Sequence, residues 1–292
     1  MKKIITKLIG LYLNVLAVIA PRKAGKIGFE LFCKPFRGKL TNRHHTFFQS
    51  AIKSTINHKN ETIQVYTWGT GSEKVLFLHG WQSHTYRWKN YIEALDKNKY
   101  TVYALDAPGH GLSSGNFLTV PLYGEVIKSL IDRIGSVNTI VGHSLGAFTA
   151  IYSVFENPQL TPEKLIALAP PGEARQFFNF YSDTLSLSKR NERLTSERFE
   201  EVVGKTPSYF SASSFAKDFN MNGLLIHDEE DDETSVENSK AIHQAWRRST
   251  LIITKGKGHN LKSQEVINET LNFIDQGSTQ KHVRSTINKE LV

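Results

Sequence analysis

Ser144 is the residue whose surroundings most clearly indicate chemistry, because it is the central residue of Gly-His-Ser-Leu-Gly at 142–146. An apolar run at 137–141 precedes this pentapeptide and a helical pattern follows it, which predicts a sharp turn from strand to helix. Such a turn requires small residues two positions on either side of the serine, and glycine occupies both positions. The turn would raise the Ser144 hydroxyl above the sheet edge, close to the amides at the N-terminus of the following helix. We therefore predict that Ser144 is a catalytic nucleophile.

His259 is the candidate base for this nucleophile, since a serine hydroxyl reacts poorly until a neighbouring group accepts its proton. It lies in Gly-Lys-Gly-His-Asn at 256–260, a glycine-rich loop directly after the last predicted strand. A third residue is needed to orient the imidazole and to stabilise its charged form. This residue is expected between Ser144 and His259 in the sequence, after a strand.

Six consecutive acidic residues at 228–233 follow the apolar strand pattern at 224–227 and supply the candidates for this third residue. We favour Asp231, with Asp232 and Asp228 as lesser candidates. At least four of the six must instead form a solvated acidic loop.

Acyl chemistry at Ser144 also requires hydrogen-bond donors for the oxyanion that develops on the substrate. The backbone amide of Leu145, which follows the nucleophile, is one expected donor. The other is expected from the loop after the strand at 74–78, which reads His-Gly-Trp-Gln at 79–82. Gly80 would allow this backbone to turn its amides inward, so we predict the amide of Trp81 as the second donor.

The elements that must position these residues alternate along the chain. Strands are predicted at 62–66, 74–78, 100–105, 137–141, 164–168, 223–226 and 249–254, and helices at about 86–95, 120–134, 147–155, 236–245 and 263–274. Several of the strands are continuous apolar runs, as is typical of strands buried on both faces. This alternation predicts a mostly parallel sheet with helices on both faces.

The segment from Pro170 to about Asp218 interrupts the alternation, because it holds many aromatic side chains among polar ones. The pattern predicts short helices inserted between two strands. An insertion at a strand end would overhang the site, so a lid is one interpretation. Helices that only pack on one face of the sheet are the other.

Taken together, these motifs resemble the α/β-hydrolase superfamily. They occur in the order of that family: His-Gly-Trp at 79–81, Asp-Ala-Pro-Gly-His-Gly at 106–111, the serine pentapeptide, the acidic turn and Gly-His at 258–259. The resemblance covers about residues 61–275 and implies an eight-stranded, mostly parallel sheet with a small helical cap at about 170–218. It also implies a Ser-Asp-His triad and a structural role for Asp106 at a turn. Many members of that family have glycine at the position of Asp228, so this sequence departs from the family pattern there.

The function predicted from these residues is hydrolysis of a carboxylic ester or thioester through an acyl-enzyme on Ser144. The same residues could instead transfer the acyl group to an alcohol or cleave a carbon–carbon bond, since the contents of the cap decide the reaction. A non-catalytic, membrane-associated binding protein on a hydrolase scaffold is a third hypothesis. The aromatic content of the cap favours a substrate with an apolar group.

Charge is distributed unevenly along the chain. The net charge is +8, but residues 1–60 contain 12 Lys and Arg against one acidic residue, Glu30, so they carry +11 and the remainder carries −3. We therefore divide the chain into a basic, partly apolar helical arm at 1–60, a hydrolase domain at 61–275 and a polar tail at 276–292. The apolar stretch 8–20 in the arm is interpreted as a helix packed on the domain, a retained membrane anchor or a cleaved signal peptide.

The partners expected from this composition are a small ester or thioester and, through the arm, an anionic membrane surface. Nucleic acid is not expected, since the sequence holds no helix-turn-helix, RNA-recognition or zinc-finger signature. No cofactor or metal is expected either, because phosphate-loop, dinucleotide and zinc-ligand patterns are missing. With one cysteine, Cys33, no intramolecular disulfide can form. We expect a cytoplasmic protein that can lie peripherally on the inner face of the membrane.

Overall fold

The computed structural model describes residues 2–276, and these form one eight-stranded sheet in the order β1-β2-β4-β3-β5-β6-β7-β8. The strands are β1 (Ile52–His58), β2 (Glu61–Trp68), β3 (Glu73–Leu78), β4 (Tyr100–Leu105), β5 (Thr139–His143), β6 (Lys164–Leu168), β7 (Asn222–Asp228) and β8 (Ser249–Thr254). The pairs β1–β2 and β2–β4 are antiparallel, whereas every pair from β4 to β8 is parallel. The ends that follow the parallel strands therefore lie along one edge.

Helices occupy both faces of this sheet. They are α1 (Lys2–Ile19), α2 (Pro21–Phe32), α3 (Asn42–Gln49), α4 (Lys89–Ala94), α5 (Val120–Ile134), α6 (Leu145–Glu156), α7 (Ala174–Leu185), α8 (Lys189–Val203), α9 (Ala212–Ala216), α10 (Val236–Ala245) and α11 (Gln264–Asp275). Alternate residues of β3 point to opposite faces: Leu76 and Leu78 pack with α5, α6 and α10, and Val75 and Phe77 pack with α3, α4 and α11. The predicted α/β-hydrolase fold is thus confirmed.

The central strands are continuous apolar runs because helices cover both of their faces. All five residues of β5 and all five of β6 are buried. Five elements have the bounds that the sequence predicts. They are the strands at 100–105, 164–168 and 249–254 and the helices at 120–134 and 236–245.

One strand was missed by the sequence analysis. β1 lies inside the segment 1–60 that was assigned to the arm, so the sheet begins before residue 61. Its seven residues show little of the alternation expected of a strand, since Ile56 is the only one that is buried. The physical reason is its edge position: β1 pairs with β2 alone and needs few apolar side chains.

Between β6 and β7 the chain forms α7, α8 and α9, where short helices were predicted. Their aromatic side chains pack on one another and on α2. Phe32 contacts Phe178 edge-on at 5.6 Å between ring centroids, and Phe29 contacts Phe199 at 5.9 Å. Most of the aromatic side chains of this segment therefore serve packing, whereas Phe180 is 73% exposed.

The first helix packs against the segment between β6 and β7. Leu13 is fully buried in a cluster with Leu185 and Leu187. The Asn14 amide donates to Ser186 O at 2.9 Å, and Ser188 N–H donates to Asn14 Oδ1 at 2.7 Å. Gly10 allows the close approach, because a Cβ there would lie 1.6 Å from Leu185 O. Of the predicted tail 276–292, all but residue 276 lies outside the described residues.

A matched pair of variants measures how firmly α1 is joined to the domain. Leu13→Ala removes a fully buried side chain and should lower the free energy of unfolding by about 2 to 4 kcal/mol. Leu11→Ala, on the exposed side of the same helix, should change it by less than about 0.5 kcal/mol. Urea denaturation followed by tryptophan fluorescence makes the comparison. Equal effects of the two changes would show that α1 does not pack as described.

Candidate active site

Ser144 lies at a sharp turn between β5 and α6, with φ 51° and ψ −123°. This left-handed backbone is strained for a residue with a side chain. The flanking glycines make the turn possible: a Cβ on Gly142 would lie 2.5 Å from Ala147 Cα, and one on Gly146 would lie 2.3 Å from Leu78 O. The turn is further fixed by Ser144 N–H, which donates to Leu168 O at 2.8 Å.

Ser144 is buried, with only 8% of its surface exposed. Its hydroxyl makes no hydrogen bond with any other residue that the structure describes. The serine that the sequence predicts as the nucleophile therefore lies at a sharp turn, and its Oγ has no hydrogen-bond partner among the described residues.

His259 is joined to Asp231 by a buried hydrogen bond. The distance from His259 Nδ1 to Asp231 Oδ2 is 2.8 Å, and the Asp231 side chain has no exposed surface. Because a carboxylate accepts, Nδ1 must carry the proton as the donor. The other ring nitrogen, Nε2, then has a lone pair with which it can accept a proton.

Asp231 is surrounded by donors. Thr234 N–H donates to Oδ1 at 2.9 Å and the Thr234 hydroxyl donates to Oδ2 at 3.0 Å, while His227 Nε2 lies 3.2 Å from Oδ2. Burial alone would raise the pKa of Asp231, but the hydrogen bonds from His227, His259 and Thr234 lower that pKa well below its ordinary value. The carboxylate therefore stays ionised beside the imidazole.

The two lesser candidates for the acid have other surroundings. Asp228 accepts from the Thr254 hydroxyl at 2.7 Å and from Lys257 N–H at 2.9 Å, so it joins the ends of β7 and β8. Asp232 is exposed. Of the three candidates, only Asp231 contacts His259 among the described residues.

His143 links the loop of His259 to the turn of the nucleophile. Its Nε2–H donates to the backbone carbonyl of His259 at 2.8 Å, and the two imidazole centroids are 4.9 Å apart. The structure thus brings the His259 loop against the residue next to Ser144, although the Ser144 hydroxyl and His259 do not form a hydrogen bond with each other.

The two expected oxyanion donors are the amides of Leu145, at the start of α6, and of Trp81, in the loop after β3. Leu145 is the first residue of α6, so its N–H has no partner within the helix. Gly80 precedes Trp81 and approaches the nucleophile closely, since a Cβ on Gly80 would lie 3.0 Å from Ser144 Cβ. Within the described part of the chain, neither the Trp81 amide nor the Leu145 amide donates a hydrogen bond. Both amides therefore stay candidates for the predicted oxyanion donors.

Buried side chains hold the backbone around Trp81. His79 Nε2 accepts from Ala107 N–H at 2.9 Å, and His110 Nε2 accepts from Gln82 N–H at 3.0 Å. Burial lowers the pKa of His79 and of His110 to about 3, which keeps both rings neutral and able to accept. Asp106 accepts from Thr85 N–H at 2.8 Å and from Leu112 N–H at 2.9 Å, a turn-closing position in agreement with the sequence analysis.

Arg87 is a residue of the site that the sequence analysis missed. Its Nη2 donates to Asn260 O at 2.6 Å, so it links the segment after β3 to the residue next to His259. Burial lowers the pKa of Arg87 to about 10, which still leaves the guanidinium charged near neutral pH. The Glu233 carboxylate lies 3.7 Å from His259 Nε2 and adds a second charge close to the base. No local motif marks either residue.

Among residues 2–276, no group of three or more His, Cys, Asp or Glu side chains is placed to hold a metal ion.

Comparison with known proteins identifies the family. Residues 71–254, more than half of the chain, match the family described as "Serine aminopeptidase, S33". The chain belongs to this family of α/β hydrolases. An esterase of Mycobacterium tuberculosis is 30% identical over 114 residues, which are 37% of this chain and 37% of that protein. The chain matches only about a quarter to two fifths of the length of the first curated relatives.

Solved structures share the fold of this α/β hydrolase at low sequence identity. A putative lipase from Acinetobacter baumannii AYE is 17% identical with a TM-score of 0.62, covering 81% of this chain and 97% of its own. A membrane phospholipase A, described as a bacterial virulence factor, is 18% identical with a TM-score of 0.63 and covers 94% of this chain and 98% of its own.

Replacing Asp231 and Asp228 one at a time in this hydrolase tests which carboxylate orients the predicted base, His259. Asp231→Asn should lower kcat/KM for an ester by about 10³- to 10⁴-fold, because the amide no longer holds His259 in the tautomer that leaves Nε2 free. Asp228→Asn should leave kcat/KM within about threefold and mainly reduce stability, by about 1 to 3 kcal/mol. Ester hydrolysis and thermal unfolding of both variants supply the measurements. The reverse pattern of activities would assign the role to Asp228.

Proposed function

We propose that the protein is a serine hydrolase that cleaves a carboxylic ester or thioester through an acyl-enzyme intermediate. The observation that carries this proposal is the buried hydrogen bond from His259 Nδ1 to Asp231, which leaves Nε2 as a proton acceptor beside the nucleophile turn. Family membership supports hydrolysis in general, and the esterase of Mycobacterium tuberculosis is a relative of this kind.

In the first half of the proposed reaction, Ser144 Oγ attacks the substrate carbonyl while His259 Nε2 accepts the hydroxyl proton. The carbonyl electron pair moves onto its oxygen, where the amides of Trp81 and Leu145 donate to it. Asp231 stabilises the imidazolium that has formed. His259 then returns the proton to the alcohol or thiol leaving group as the bond to the acyl carbon breaks.

In the second half, a water molecule attacks the acyl carbon and gives its proton to His259. The tetrahedral intermediate collapses, Ser144 Oγ leaves as it regains the proton from His259, and the carboxylic acid is released. Acyl transfer to an alcohol would differ only in the attacking molecule. Product analysis with an alcohol present therefore distinguishes a transferase from a hydrolase.

The partner proposed for the N-terminal helices is an anionic membrane surface. Residues 1–60 carry +11, and α1 displays large apolar side chains to solvent. No helix among the described residues combines the length and apolar character needed to cross a bilayer. We propose a substrate with an apolar acyl group, which suits a protein that lies at such a surface. Hydrolysis rates for a series of soluble esters of increasing chain length test this preference.

The nucleophile can be tested with an active-site-directed fluorophosphonate. Ser144→Ala should abolish labelling and lower ester hydrolysis by at least about 10³-fold, because the attacking oxygen is removed. Ser153→Ala is the matched control, since this serine is also buried and lies on α6, where its hydroxyl donates to Thr149 O. Labelling of Ser144→Ala at the level of the parent would rule out the mechanism.

The pH dependence follows from the same hydrogen bond. Activity is expected to fall in acid, because a protonated His259 cannot accept the Ser144 proton. Asp231 adds no second step there, since its pKa is lowered well below the ordinary value and the carboxylate stays ionised. Values of kcat/KM between about pH 5 and about pH 9 should therefore show one fall on the acid side. A profile that is flat on that side would contradict His259 as the base.

A further inference from the structure

The most extensive unexplained surface on the described part of the molecule is one side of α1, which we name the outer face. It consists of eight large apolar side chains, each more than half exposed: Ile4, Ile5, Leu8, Leu11, Tyr12, Val15, Val18 and Ile19. At about 100° per residue they fall within an arc of roughly 140° on the helix. Apolar patches of this extent mark interaction sites.

The opposite side of α1 is already occupied by the protein. Leu13, Leu16 and Ala17 are buried, and Gly10 lies against the carbonyl of Leu185. Large apolar side chains on either side of a helix are stabilised when they are removed from water. The fold covers one side, so the outer face requires a separate occupant.

Charge selects a bilayer rather than a second copy of the chain. Exposed basic residues stand at both ends of the outer face, with Lys7 near its start and Arg22, Lys23 and Lys26 just beyond it. The sequence contains no acidic residue before Glu30. Two such faces would repel each other in a dimer, whereas anionic lipid headgroups would attract both ends.

We propose that the outer face of α1 lies in the plane of an anionic bilayer and that the protein hydrolyses acyl esters resident in that bilayer. In-plane insertion fits the geometry, because the buried side of α1 is held by protein and only the outer face is open to lipid. The substrate class rests on the proposed function.

One helix connects this surface to the active site. α7 begins at Ala174, shortly after Ala169, whose carbonyl oxygen lies 3.5 Å from the hydroxyl oxygen of Thr234, the residue that donates to Asp231. α7 ends at Leu185, which packs with Leu13 of α1. Its 12 residues span about 18 Å. Docking of α1 would thus hold the edge of the site at a fixed, short distance from the bilayer surface.

The test compares two triple variants of the full chain. Leu11→Gln/Val15→Gln/Val18→Gln makes the outer face polar without touching its buried contacts. The control, Ile52→Gln/Val202→Gln/Ile253→Gln, changes three exposed apolar residues that lie outside α1. Thermal unfolding and light scattering establish that each variant keeps the fold and the association state of the parent.

Binding is measured by co-sedimentation with vesicles of phosphatidylcholine, with and without phosphatidylglycerol. The parent and the control should bind the anionic vesicles, and added salt should release them. The outer-face variant should bind at least about tenfold more weakly. Equal binding by the outer-face variant and the parent would overturn the docking. A parent that binds no vesicles and is a dimer, which the outer-face variant dissociates, would assign the face to a second copy.

Activity is measured on a soluble short-chain ester and on a fluorogenic ester lipid embedded in the anionic vesicles. The outer-face variant should match the parent on the soluble ester and lose at least about tenfold on the embedded one. Equal activity on the embedded ester despite weaker binding would overturn the substrate class. If the parent is no more active than Ser144→Ala on the soluble ester, the proposed hydrolysis fails, while vesicle binding still reports on the docking.

Discussion

The contact on which the site depends is the hydrogen bond between His259 and Asp231. A carboxylate without exposed surface is costly unless donors surround it, and here His227, His259 and Thr234 all contribute. The fold that buries Asp231 therefore also determines the tautomer of His259. The two other candidates in 228–233 have different surroundings. Asp228 joins two strand ends, and Asp232 is exposed.

Residues far apart in sequence meet because parallel strands present the same ends to one edge of the sheet. Trp81 follows β3, Ser144 follows β5, Asp231 follows β7 and His259 follows β8. In the sheet order β3 and β5 are neighbours, and β7 and β8 are neighbours. The first pair places the Trp81 loop beside the Ser144 turn, and the second places Asp231 beside His259. His143 and Arg87 then tie the His259 loop back to the first pair.

The sequence predicted the elements and residues that depend on a local residue pattern. It did not reveal those whose position depends on packing between distant segments. The buried parallel strands and the Ser144 turn have strong local signatures, since both need particular residue types in a continuous stretch. The preference for Asp231 over Asp228 agrees with the contacts, but nothing within the acidic run separates the two. That choice depends on the path of the turn after β7. β1 and Arg87 were missed because an exposed edge strand and a single arginine carry no periodic signal.

The three interpretations of the apolar stretch 8–20 were framed as alternatives, but the structure shows that packing on the domain and lying at a membrane do not exclude each other. α1 is apolar on two sides, and only one side is needed for packing. α2 also contributes to that packing, since Gly25 and Gly28 let its backbone approach Leu194 and Thr195 of α8 closely. Tyr181 of α7 donates to Gly28 O at 2.8 Å, so both cap helices contact the N-terminal pair. Removing α1 and α2 would expose apolar surface of α7 and α8. The N-terminal helices are therefore structural parts of the cap, and only their uncovered side is free to bind a membrane.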